Sequence, residues 1–269
     1  MGKKKKSHRQ KRGYPIGLII GFESMQINIW KVFSERVLIF KVRKLGRKFE
    51  NAQKSHLYHF FEDIINDLRP IMKEGIKSIL LVCPLKKDYA SLFLNHIKSH
   101  HKWLILEKNI NSASFQILHG SVRDLEEVSS FIQTDQYLEA IGSVTEKETN
   151  RIIETLEKRL NDLENGLVLY TLKEIEEIVY SGGKRKKKFK PLSLIPEHIL
   201  FTNSFIDENP QKNRIHRLIQ IAKNRQIISK IIDSETPAGI RINQLGGIVC
   251  FLLVKSDYEK KIGQKIIDR

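Results

Sequence analysis

The stretch KLGRKFENAQKSHLYHFFEDI, residues 44–64, decides the reading of this chain because of what it joins. Three strand-like runs precede it, at 16–23, 26–32 and 36–42. The turn signals Glu23-Ser24 and Ser34-Glu35 separate them, which reads as an antiparallel meander. Ile27, Ile29 and, less regularly, Trp30 and Val32 carry the apolar load of the second run; Val37, Ile39 and Lys41 are expected on one face of the third. After the stretch the period changes. Leu57, Phe60, Phe61, Ile64, Ile65 and Leu68 recur at three and four, the stripe of an amphipathic helix that Pro70 is expected to help end. In between lies a basic, glycine-started loop that carries one polar side chain, Gln53, toward a phosphate-rich target. Arg43, Lys44, Arg47, Lys48 and Lys54 suit contacts to a nucleic-acid backbone.

Working outward, the 269 residues suffice for two domains with separate cores. The formal charge of +16 is concentrated in two places. Residues 1–14 hold seven Lys/Arg and no acid, and residues 184–190 hold six in seven, so the rest of the chain carries only +3. Such arms add salt-dependent, sequence-independent affinity for nucleic acid. Lys184, Arg185, Lys186, Lys187 and Lys188 are therefore candidate RNA-binding residues, with Phe189 as a stacking partner. Neither arm has the apolar interleaving that an interfacial helix needs, no apolar run reaches the ~20 residues of a membrane span, and no signal peptide is expected. Cys83 and Cys250 sit in apolar runs and read as buried small hydrophobes of a cytoplasmic protein.

Beyond the first helix the pattern alternates: strand 78–83, helix 87–100, strand 103–107. Helical composition follows over 122–163, with Thr145 to Glu148 as a capping box. A second alternating block comes next: 167–170, helix 172–180, the basic insertion at 183–191, strand 198–202, helix 212–224, and strands 227–232 and 248–254. The expected architecture is α/β in two domains, a mixed-sheet domain over 15–133 and a smaller α/β/α sandwich over 134–256. A basic disordered tail over 1–14 and a tail over 257–269 flank them.

This order, with SILLVC and WLILE as strands, HILFTNSFI, IISKIID and the turn Gln244-Leu245-Gly246-Gly247-Ile248 before VCFLLV, resembles the central and C-terminal domains of the Pelota and class-1 release-factor superfamily. Gly246 and Gly247 suit a turn at positive φ ahead of a buried strand. The resemblance implies a ribonuclease-H-like central domain and a third domain similar to the kink-turn-binding ribosomal protein fold. It implies a ribosome-associated factor in rescue or quality control. The implied partners are the ribosome or its large subunit, tRNA and rRNA, and a translational GTPase or ABC-type recycling ATPase. On this resemblance the superfamily's N-terminal domain is not expected in the chain, nor the means of codon reading that it would bring.

Gln53 stands where the release factors carry the glutamine of Gly-Gly-Gln and the Vms-type peptidyl-tRNA hydrolases that of Gly-x-x-Gln; Pelota lacks the motif. This chain has Glu50-Asn51-Ala52-Gln53. Similarity to the Vms-type branch implies a hydrolase, and similarity to Pelota implies a factor that binds without chemistry. A non-catalytic RNA-binding module is the alternative from another class. No cofactor and no metal are expected: the i,i+4 pair His96/His100 and the i,i+3 pair His56/His59 have no completing Glu or Cys in sequence, and Glu62, Asp63 and Asp67 read as a solvated helix face. Gly182-Gly183-Lys184 is no Walker loop.

Overall fold

The computed structural model describes residues 13–46, 48–49, 52–106, 109–161, 167–181 and 194–254. The arms at 1–12 and 184–190, the tail at 257–269 and, within the loop, Arg47, Glu50 and Asn51 lie outside them.

The first half is built on a five-stranded sheet in the order β3-β2-β1-β4-β5. Strands β1 (Pro15–Phe22), β2 (Gln26–Phe33) and β3 (Val37–Lys44) form the antiparallel meander; β4 (Ser78–Cys83) and β5 (Ser114–His119) run parallel to β1. Helices α1 (Lys54–Lys73) and α2 (Tyr89–His100) cover one face. Helix α3 (Leu125–Phe131) and the start of α4 (Asp135–Asn161) cover the other. With both faces covered, β4 buries all six residues, as a continuous apolar run in a parallel strand should. In β2, Ile27 and Ile29 enter the α1 side and Trp30 and Val32 the α4 side, so its uneven pattern is that of a strand with two dry faces.

Strand β3 departs from the expected pattern. A bulge pairs Ile29 with Lys41 and Trp30 with Ile39, leaving Phe40 as the extra residue. Val37 stays on the α4 side, while Lys41 and Arg43 turn toward α1 and do not share its face.

The second sheet has the order β6-β9-β7-β8, from β6 (Leu167–Leu169), β7 (Leu194–Thr202), β8 (Ile228–Ile232) and β9 (Ile248–Val254). Helices α5 (Leu172–Ser181) and α7 (Lys212–Asn224) pack on one face; α8 (Pro237–Gln244) and the end of α4 pack on the other, and α6 (Asn203–Glu208) follows β7. Both halves are thus three-layered. At ~1.5 Å per residue α4 is about 40 Å long, enough to reach both sheets. Tyr137, Ala140 and Val144 pack on the first, Ile152 and Leu156 on the second.

Three further expectations are corrected. Residues 102–104 form a 3-10 turn, not a strand; Leu104 is buried there, and the fifth strand comes ten residues later. Thr145 to Glu148 caps nothing, because α4 runs unbroken from Asp135 and Glu148 is engaged by Ser78. Pro70 lies inside α1, whose last turn continues to Lys73. No helix among the described residues is long and apolar enough to cross a membrane.

Candidate functional site: an anchored basic loop ending at Gln53

The loop after β3 is held by its own apolar residues. The Leu45 amide donates to the Met25 carbonyl at 2.7 Å and the Phe49 amide to that of Ser24 at 2.9 Å. Leu45 and Phe49 are buried, and the Phe49 ring stacks on Tyr89 at 4.6 Å with Phe60 and Phe61 beside it. Ala52 packs partly against the same core. The chain then emerges at Gln53, which is exposed and occupies the N-cap of α1 with φ −67° and ψ 150°. Its carbonyl accepts from the Leu57 amide at 3.0 Å, while its side chain makes no capping hydrogen bond. A glutamine is therefore exposed at the end of an anchored loop, in a backbone conformation open to any residue. Lys44, Lys48 and Lys54, near it in sequence, are exposed, and a recess of about 410 Å³ is lined by Gly46, Ala52, His56 and His59 among others.

Arg43 is occupied differently. Its guanidinium grips Asp67 of α1 in a fork, Nε to Oδ2 at 2.6 Å and Nη2 to Oδ1 at 2.9 Å, and Nη1 reaches Asp63 at 3.3 Å. Lys41 adds a bond to Asp67 Oδ1 at 2.7 Å. Burial pushes the Asp67 carboxyl up, but the hydrogen bonds and charges of Arg43 and Lys41 outweigh it and hold the group below its ordinary value. Arg43 thus fixes β3, and with it the root of the loop, to α1.

Of the three acids of α1 expected on a solvated face, Asp63 is exposed and the other two are not. Asp67 is buried in this clamp, and Glu62 Oε1 meets His96 Nε2 at 2.8 Å and His101 Nε2 at 2.6 Å. The expected pairs, His96 with His100 and His56 with His59, are not what converges. Glu62 joins His96 to His101, the residue after α2, and nothing in local spacing announces that set.

In the second half, Gly246 and Gly247 adopt φ of +102° and +80° after α8, and the Gly247 carbonyl accepts from the Thr202 amide at 3.0 Å. Between the halves runs a charged seam that sequence reasoning missed. Lys77 donates to the Ile110 carbonyl at 2.8 Å, Glu148 pairs with Lys230 and accepts from Ser78, Arg159 pairs with Glu197 at 2.7 Å, and His198 meets Asn111 at 3.0 Å. A bulge at Glu197 in β7 aims that carboxylate at α4.

No protein-family profile matches the chain. A Pelota homologue of the archaeon Pyrococcus furiosus is 23% identical over 212 residues, 78% of this chain and 52% of the relative. Over those residues the chain is similar in sequence to Pelota. It spans about half the length of that relative. Among solved structures, a ribosome-bound archaeal Pelota, from a complex with ABCE1, aligns over 92% of this chain and 63% of its own at 18% identity and a TM-score of 0.49. Dom34 of S. cerevisiae, a translation termination-like factor, aligns over 91% and 64% at 15% identity and a TM-score of 0.48.

Proposed function

We propose that this Pelota-like chain is a cytoplasmic, ribosome-associated translation factor of rescue or quality control, and that its central domain delivers the basic loop to peptidyl-tRNA on the large subunit. The observation that carries this reading is the exposed Gln53, at the helix end of a loop anchored by Leu45 and Phe49, with the exposed Lys44, Lys48 and Lys54 near it in sequence. Gln53 is exposed, sits in an ordinary extended backbone conformation and spends no side-chain hydrogen bond on capping α1, which leaves its amide free for a ligand. There it positions a water against the ester that joins peptide to tRNA, a proximity effect of the kind worth several orders of magnitude in rate. The lysines supply phosphate contacts, and the arms at 1–14 and 184–190 extend them. A translational GTPase or ABC-type ATPase is the partner proposed for the C-terminal domain.

Large subunits loaded with peptidyl-tRNA test the reading. Release by the wild type and loss of release in Gln53→Ala supports it in full. Salt-sensitive binding without release retires Gln53 as a catalytic residue and leaves a binding factor. No binding to subunits overturns the reading.

A further inference from the structure

Three residues that no function above uses meet at one point on the far side of α1 from Arg43. Glu62 comes from the middle of α1, His96 from the last turns of α2, and His101 from just beyond it, and their ligand atoms lie within 4.8 Å of one another. Both imidazoles are buried, and both aim Nε2 at the same carboxylate oxygen, Oε1 of Glu62. The Glu62 side chain stays one-quarter exposed, so the point of convergence opens to solvent on one side. Tyr58 and Phe61 lie against His96, with ring centroids 5.0 and 5.4 Å away, and Trp103 lies 6.4 Å from His101. These rings form an apolar collar of the kind that restricts water and orients ligands.

We infer that Glu62, His96 and His101 form a binding site for a single zinc-class divalent ion, with a solvent molecule in the fourth position. Two imidazoles and a carboxylate are a donor set of intermediate softness, suited to zinc and its first-row neighbours rather than to magnesium or calcium. The nitrogen–oxygen distances of 2.8 and 2.6 Å need only open to about 3.3 Å, the edge of a tetrahedron with ~2.05 Å bonds, which side-chain rotation supplies. The ion would tie α1, the helix that Gln53 precedes, to the end of α2, and its binding does not depend on the ribosomal reading.

The test uses the untagged full chain dialysed against a chelator and titrated with Zn(II) by calorimetry and with Co(II) by visible absorption. The expected result is saturable binding of one ion per chain, a tetrahedral Co(II) spectrum, and a melting temperature raised by about 5–10 °C at 100 times the Kd. Glu62→Gln keeps the shape and a hydrogen-bond acceptor, so it preserves the fold while weakening binding by about 100-fold or more. His101→Asn does the same. His100→Asn and the pair His56→Asn/His59→Asn leave binding within about threefold of wild type. The inference is overturned by an absence of saturable binding, by binding that survives His101→Asn, or by binding lost with His100, His56 or His59, which would place the ion on surface histidines.

Discussion

Replacing Asp67 by Asn removes one charge from the clamp that seats β3 on α1. The carboxylate accepts three charge-assisted bonds, from Lys41 at 2.7 Å and from Arg43 at 2.6 and 2.9 Å. Breaking a buried pair costs about 3–5 kcal/mol, and one charged hydrogen bond about 1.5–3. Here the partners can rehydrate, since the Arg43 and Lys41 side chains are 27% and 42% exposed, and Asn keeps one acceptor while turning an NH₂ on the guanidinium. The expected loss is about 2 kcal/mol. With a urea slope of about 2–3 kcal/mol/M, the midpoint falls by about 0.7–1 M. Both tryptophans, Trp30 and Trp103, lie in the first half, so their fluorescence reports that half. The sign with pH follows from Asp67 being held below its ordinary 3.8. Its contribution is complete above that value and is lost as pH falls through the lower folded-state value. The gap between wild type and variant should therefore be constant from pH 7 to 5 and close below about pH 4. A cost under about 0.5 kcal/mol at pH 7, or a gap that stays open in acid, would refute the clamp.

Two further outcomes concern backbone and burial. Gly247→Ala should cost more than Gly246→Ala, about 3 kcal/mol against about 1–2, in urea melts followed by circular dichroism. Both positions have positive φ, but a Cβ at 247 would meet the Phe205 side chain at 2.7 Å, while at 246 the nearest atom is 3.6 Å away. Lys77, buried before β4, is pushed down to about 8 by desolvation. Between pH 8 and 10.5 the unfolded chain holds a proton there that the native one does not, so stability should rise with pH at up to ~1.4 kcal/mol per unit. Lys77→Met should flatten that rise, and an unchanged slope would contradict it.

What the sequence showed and what it hid divide along a physical line. Elements whose signal is local were legible: β4, α7 and β9 carry apolar runs or stripes dense enough to set their own bounds, and the residues found at Lys212–Asn224 and Ile248–Val254 are those the pattern marks. The exposure of Gln53 follows from its place between a buried Phe49 and a helix start. Features set by distant partners were not legible. The Phe40 bulge redirects Lys41 and Arg43, and only the presence of Asp67 24 residues on explains it. Glu62 finds His96 and His101 across two helices with no spacing rule to predict it. The apolar WLIL segment reads as a strand but forms a turn that buries Leu104 and leaves Trp103 and Leu106 exposed, and PAGIRINQ, eight residues long, is too short for a helical period to declare itself.

The seam between the halves shows how charge, rather than apolar area, fixes their arrangement. Glu148 sits in the middle of α4, 3% exposed, and bonds Ser78 of the first sheet at 2.8 Å and Lys230 of the second. Taking a carboxylate and an ammonium out of water costs several kcal/mol each, and their attraction does little more than offset it. Such a pair adds little net stability, yet it penalises every arrangement that leaves one member alone. Glu148→Gln should therefore cost about 3 kcal/mol by stranding the Lys230 charge, whereas the double change Glu148→Met/Lys230→Met should recover most of that loss. The coupling is read from urea midpoints of Glu148→Met, Lys230→Met and the double variant. Additive losses would mean that the two side chains act independently and that the apolar flanks of α4, Val144 and Ile152, hold the halves together by themselves.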